Sequence, residues 1–126
     1  MDKQSKKLLL KLEKKIIVAA NLVQEKTRHG LILDLVSNKN ILSSVWIDLS
    51  GKCSIETEFE QAETGIMYSW NFNKVVHITV MDKIVLFWLY SKGSTYYKID
   101  LAEGTIDPIT DDEHHNLILE YKIRDF

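Results

Sequence analysis

The chain of 126 residues has 45% hydrophobic and 27% charged side chains, one cysteine and a net charge of −2, the make-up of one soluble globular domain spanning 1–126. The lone Cys53 excludes an intramolecular disulfide framework and a cysteine-rich zinc site, and it fits a reducing compartment. No stretch reaches the ~20 apolar residues of a membrane span. Lys11, Glu13, Lys14 and Lys15 interrupt the N-terminal leucines before the ~7–15 apolar residues of a secretory signal can accumulate, so a cytoplasmic protein is expected.

The charge is unevenly divided. Residues 1–28 hold eight Lys/Arg against three Asp/Glu, and residues 29–126 hold eight against fifteen. On a wheel of about 100° per residue, Leu8, Leu9, Leu12, Ile16, Ala19, Ala20 and Val23 gather on one side, and Lys7, Lys11, Lys14, Asn21 and Glu25 on the other. This predicts a basic amphipathic helix over about 3–25, within a segment 1–29 that Gly30 ends. Leu10, Ile17 and Val18 lie off the stripe. Either a second side of the helix is covered, or the β-branched run Ile16-Ile17-Val18 starts a strand. A basic helix can also meet nucleic acid or an anionic membrane. With no arginine before Arg28 and no aromatic residue to stack on a base, the lysines read as a solvated face and nucleic acid is not the expected partner.

From residue 31 onward the period is two and the chain reads as mainly β. Strands are predicted at 31–36, 43–49, 53–60, 65–71, 74–81, 84–91, 94–101 and 116–124, joined by short connections rich in Gly, Asn, Asp and Lys. Short connections of this kind join antiparallel neighbours. In Leu49-Ser50-Gly51 the glycine suits the third loop position, where φ is positive. That register places Val45, Ile47, Cys53, Ile55, Thr57 and Phe59 on one face, with Trp46, Asp48, Ser54, Glu56, Glu58 and Glu60 on the other. Ser91-Lys92-Gly93 is read the same way, and Asp82-Lys83 as a two-residue turn. Val76, Ile78, Val80, Val85, Phe87, Leu89, Tyr97, Ile99 and Leu101 then form an apolar face against which the helix is laid. The reverse face sets His77, Trp88 and Tyr96 side by side, too apolar for open solvent and too mixed for a plain core. The expected fold class is α+β: an N-terminal amphipathic helix on a twisted antiparallel meander of about six to eight strands.

Two surfaces stand out as candidate sites. Glu56, Glu58 and Glu60, with Glu63 beyond, form an acidic comb. Alternate strand residues are about 6.6 Å apart, so neighbouring charges repel by roughly 0.6 kcal/mol in water, which one domain tolerates as a solvated face. With Trp46 and Asp48, the same comb would steer and orient a basic protein partner. Acid–base catalysis needs carboxylates in unlike environments, and equivalent exposed glutamates offer none. The second surface is the His77, Trp88 and Tyr96 face, which suits a small ligand or a small enzyme site.

Other motifs carry less. Adjacent histidines in Asp111-Asp112-Glu113-His114-His115 point apart and rarely ligate one ion together; after Thr110 they suit a helix start or a polar loop. No serine or cysteine is spaced to serve His77 as nucleophile, and Cys53 falls on the core face. No phosphate loop, dinucleotide fingerprint or zinc spacing is present. No metal or cofactor is therefore expected. The expected function is a non-enzymatic cytoplasmic protein that binds a basic protein, such as an immunity-type inhibitor of a nuclease toxin. The alternative is a small-molecule binder or enzyme on the His77, Trp88 and Tyr96 face.

Overall fold

The computed structural model describes residues 2–26, 28–37, 42–56 and 65–124, with the backbone alone at 56, 65–72 and 124. Helix α1 (Lys3–Leu12) starts at Asp2, whose Oδ1 accepts the Ser5 N–H at 2.7 Å. Capping satisfies one of the helix's free N–H groups. The helix stops after Leu12, and Lys14, at φ 71°, turns the chain into strand β1 (Ile16–Gln24).

The helix predicted to run to about 25 is therefore half helix and half strand. The misreading has a physical cause. A bulge between Ile17 and Ala19 makes Val18 an extra residue, so Ile17 and Ala20 share a face at a spacing of three, as they would on a helix. The β-branched run at Ile16 was the signal of the change. Gly30, expected to stop the helix, lies within a strand.

The remaining strands are β2 (His29–Val36), β3 (Leu42–Asp48), β4 (Cys53–Glu56), β5 (Gly65–Met81), β6 (Ile84–Tyr90), β7 (Ser94–Asp100) and β8 (Thr105–Ile109), followed by helix α2 (Asp111–Arg124). They form one antiparallel eight-stranded sheet in the order β4-β3-β2-β1-β5-β6-β7-β8. Two meanders therefore meet along β1 and β5. The fold is α+β, with a second helix at the C-terminal end of the described chain.

Strand β5 holds the two halves together. Its first part, Gly65–Lys74, pairs with β1, and its second, Lys74–Met81, pairs with β6. The expected break at 71–74 is instead a kink within one strand, where residues 70–72 stand opposite the single Val18. A second bulge leaves Val76 unpaired between Val75 and His77. Val75 is buried and Val76 is not, which corrects the expected placement of Val76 in the core.

The halves face each other across one core. Leu22, Leu31, Leu33 and Ile47 from the first half meet Val75, Phe87, Leu89 and Ile99 from the second, with Leu9 and Leu12 of α1 at one side. The closeness of the halves is visible at their rims. A Cβ on Gly51, in the β3–β4 turn, would sit 3.2 Å from Val80 Cγ1, and the His29 ring donates to the Leu101 carbonyl at 2.6 Å. Bulged strands that pass from one half-sheet to the other make such corners.

Turn chemistry was read correctly at two of three hairpins. Gly51 has φ 89°, and Asp82, at φ 54°, closes the Met81–Ile84 turn. Ser91–Gly93 keeps the expected register, Tyr90 opposite Ser94, without a positive φ at Gly93. Strand β8 lies outside the predicted strands; it is an edge strand, where the N–H that Pro108 lacks is tolerated. The segment 116–124, a strand candidate whose sequence is also compatible with a helix, belongs to helix α2. Thr57 and Phe59 lie outside the described residues.

Phe87 is fully buried at the centre of this core. Phe87→Ala should cost about 3–5 kcal/mol, measured by denaturant or thermal unfolding. An unchanged midpoint would mean that the opposite face of β6 is the core.

Candidate functional site

On the outer face of the second half-sheet, His77 pairs with Trp88 and Trp88 with Tyr96, as the sequence register implied. The Trp88 and Tyr96 rings stack at 5.7 Å and 30°, and the Trp88 indole N–H donates to Ser94 Oγ at 3.1 Å. All three residues are partly exposed. His77 Nδ1 lies 2.8 Å from Glu13 Oε1, a link from this face to the end of α1.

Helix α2 half covers the face. It begins with a reciprocal cap: Thr110 Oγ1 accepts the Glu113 N–H at 3.2 Å, and Glu113 Oε1 accepts the Thr110 N–H at 3.3 Å. The cap fixes which of the paired histidines turns inward. His114 is 5% exposed, with its ring 4.8 Å from Tyr96 and 6.3 Å from Trp88, while His115 faces solvent. Leu117, Ile118 and Tyr121 continue the half-buried stripe. That spacing of three, four and seven from His114 was present in the sequence, but the strand assignment at 116–124 hid it.

Two polar atoms under α2 are buried and have no hydrogen-bond partner among the described residues: His114 Nε2 and Thr79 Oγ1. Each such group costs about 1–3 kcal/mol. Both residues line one cavity of about 420 Å³, together with His77, Trp88, Tyr96, Asp111 and Lys122. Burial pushes the His114 pKa down from its ordinary 6.5; Asp111 opposes the shift, and His77 and His115 add to it.

The acidic face is placed differently. Trp46 lies opposite Ser54, and Ser44 opposite Glu56, so the strand register brings these four positions of β3 and β4 together. Asp48 is engaged in the hairpin: its Oδ1 accepts from Ser50 N at 2.9 Å, Ser50 Oγ at 2.6 Å and Lys52 N at 3.0 Å. Trp46 carries the Arg28 guanidinium 4.3 Å above its ring. On its other side Trp46 crosses Gly30, where an added Cβ would fall 2.9 Å from the indole and closer still to the Ile47 carbonyl. Glu58, Glu60 and Glu63 lie outside the described residues.

Cys53 is buried, accepts no role on either face, and has its thiol pushed up to about 11 by burial. Among the described residues, no three His, Cys, Asp or Glu side chains are grouped to hold a metal ion, and no helix is long and apolar enough to cross a membrane. No family model, curated protein or solved structure matches this chain.

Gly30→Ala should destabilise the protein by about 1–3 kcal/mol, the usual cost of overpacking, and should alter the Trp46 fluorescence in an unfolding series. A neutral substitution would show that Trp46 does not lie across Gly30. The sign of the pH dependence follows from His114. Its folded pKa is below the unfolded one, so as pH falls below 6.5 the unfolded state takes up the proton first. The stability present above 6.5 is lost as pH falls through the folded value. Melting temperatures from pH 7.5 to 5 should decline less steeply for His114→Gln than for the wild type, and parallel curves would exclude this contribution.

Proposed function

We propose that the protein is a non-enzymatic binding protein that docks a basic protein on the outward face of β3 and β4. The observation that supports this most directly is that β4 ends the sheet of described strands, with Ser54 paired to Trp46 and Glu56 paired to Ser44 in the register. In the sequence Glu56 is followed by Glu58 and Glu60, and carboxylates at a sheet edge discourage pairing with another copy and attract a partner rich in lysine or arginine. Leu42, 65% exposed at the start of β3, and the half-buried Trp46 add apolar contact area. Interfaces combine such anchors with a polar rim. Asp48 contributes by fixing the β3–β4 turn rather than by offering a free carboxylate.

The chemistry available elsewhere favours binding over catalysis. The Cys53 thiol is buried and held protonated at neutral pH, so it supplies no thiolate nucleophile. In its specific form, the proposal is a cytoplasmic bacterial protein that neutralises a basic enzyme such as a nuclease toxin, as immunity proteins do.

Capture from the source cells at low salt, followed by mass spectrometry, identifies the partner. Replacing Glu56, Glu58 and Glu60 with glutamine should leave the fold intact and slow association about tenfold at low ionic strength, because rim charges act mainly on the on-rate. The residual binding should depend less on salt. Equal on-rates for wild type and triple variant at low salt would make the comb a solvated strand face.

A further inference from the structure

We propose that the exposed face of α1 docks the protein on the surface of an anionic phospholipid bilayer. On a helix of about 3.6 residues per turn, Lys3, Lys6, Lys7, Leu10 and Lys11 fall within an arc of about 140°. All five are exposed. Ser5, Leu9 and Leu12, which are buried, lie on the opposite side of the helix. Ser5 fastens that side, because its Oγ accepts the Cys53 N–H at 2.9 Å. The lysines are thus held on one face of an anchored helix. Lys14, just past the helix, and Lys74, next to the Val75 carbonyl that accepts the Lys14 N–H, are exposed as well.

Nothing in the helix offsets this charge. The stretch Lys3–Leu12 contains no acid, and both flanking acids are engaged, Asp2 in the cap with Ser5 and Glu13 with His77. Among the described residues, the lysines of α1 take part in no ion pair. Each lysine brought to an anionic leaflet strengthens binding about fivefold, the equivalent of about 1 kcal/mol. Residues 29–126 carry eight Lys/Arg against fifteen Asp/Glu, so the field of the whole molecule turns α1 toward a negative surface.

A bilayer fits this face better than a nucleic acid does. Leu10 is 60% exposed in the middle of the lysines. With Lys6 it also lines a hollow of about 360 Å³ whose other walls include Leu9, Ile78, Val80 and Tyr121. Apolar groups among cations suit the boundary between headgroups and acyl chains, where lysine stems lie along apolar surface and their ammonium groups reach phosphate. A helix that reads a nucleic-acid groove needs side chains that match base edges, and single strands call for aromatic rings to stack on. The helix has no arginine and no aromatic residue.

The test is cosedimentation of the full chain with vesicles of about 30% phosphatidylserine in phosphatidylcholine at about 0.1 M salt. Binding should be saturable, absent with pure phosphatidylcholine, and at least about tenfold weaker at roughly 0.5 M salt. Replacing Lys3, Lys7 and Lys11 together by glutamine, which keeps the helix, should weaken it about a hundredfold. The same change of net charge at Lys26, Lys83 and Lys92, exposed in turns elsewhere, should weaken it less than about threefold. Leu10→Gln should weaken it about threefold. If the α1 triple variant fails to fold, Lys7→Gln alone should weaken binding about fivefold. Absence of binding to the anionic vesicles, equal binding to pure phosphatidylcholine, or equal losses for the two triple variants would each overturn the proposal. So would unaltered binding of Leu10→Gln, or duplex DNA of matched phosphate concentration bound as tightly as the vesicles.

Discussion

Val75 ties the two halves of the molecule together. Its carbonyl accepts the Lys14 N–H and its own N–H donates to the Lys15 carbonyl, both at 2.8 Å. The pair locks the end of α1 to β5 at the point where the β1–β5 ladder ends and the Val76 bulge begins. The extra residue turns Val75 and Ile78 to the same inner side, under Leu9 and Leu12, and turns His77 outward beside Trp88. One backbone irregularity therefore sets the core register, seats α1 and aims the outer face. It also brings Glu13 within reach of His77.

Among the described residues the sheet has three places where another strand could add, and each is handled by different chemistry. Strand β4 ends the sheet on one side with Glu56 as its last residue, and β8 ends it on the other with Pro108. Beyond Lys74 the edge of β5 has no strand partner on the β1 side, and α1 lies there instead. Charges, proline and a covering helix are the usual defences of exposed edges. This arrangement disfavours strand-to-strand association.

How much of this was legible in the sequence depended on the range of the signal. Local signals were dependable for most positions: Gly51 and Asp82-Lys83 fixed their hairpins, and alternation put Phe87, Val85 and Ile99 inward and His77, Trp88 and Tyr96 together, but it also put Ile55 inward, where the edge strand leaves it 65% exposed. Signals that bulges displace were not. Ile17 and Ala20 at a spacing of three imitated a helix, and the asparagines around 71–73 imitated a turn within a single strand. Strand β8 was missed because its five residues show no clean alternation; as an edge strand it tolerates Pro108. In the candidate site, the outer-face trio could be read from register, while Thr79 and His114 gain their significance only when α2 closes over them. Thr110 and Glu113, three residues apart, marked the start of that helix.

Native-state hydrogen exchange at the Lys14 and Val75 amides tests directly whether α1 and the Val76 bulge are integral to the fold. Both N–H groups should exchange only through global opening, with the same free energy as the slowest amides of β1 and β6, because separating α1 from β5 opens the core at Leu9 and Leu12. Exchange of these two amides through a low-energy local opening, with the rest of the sheet still protected, would contradict the account and make α1 a peripheral element.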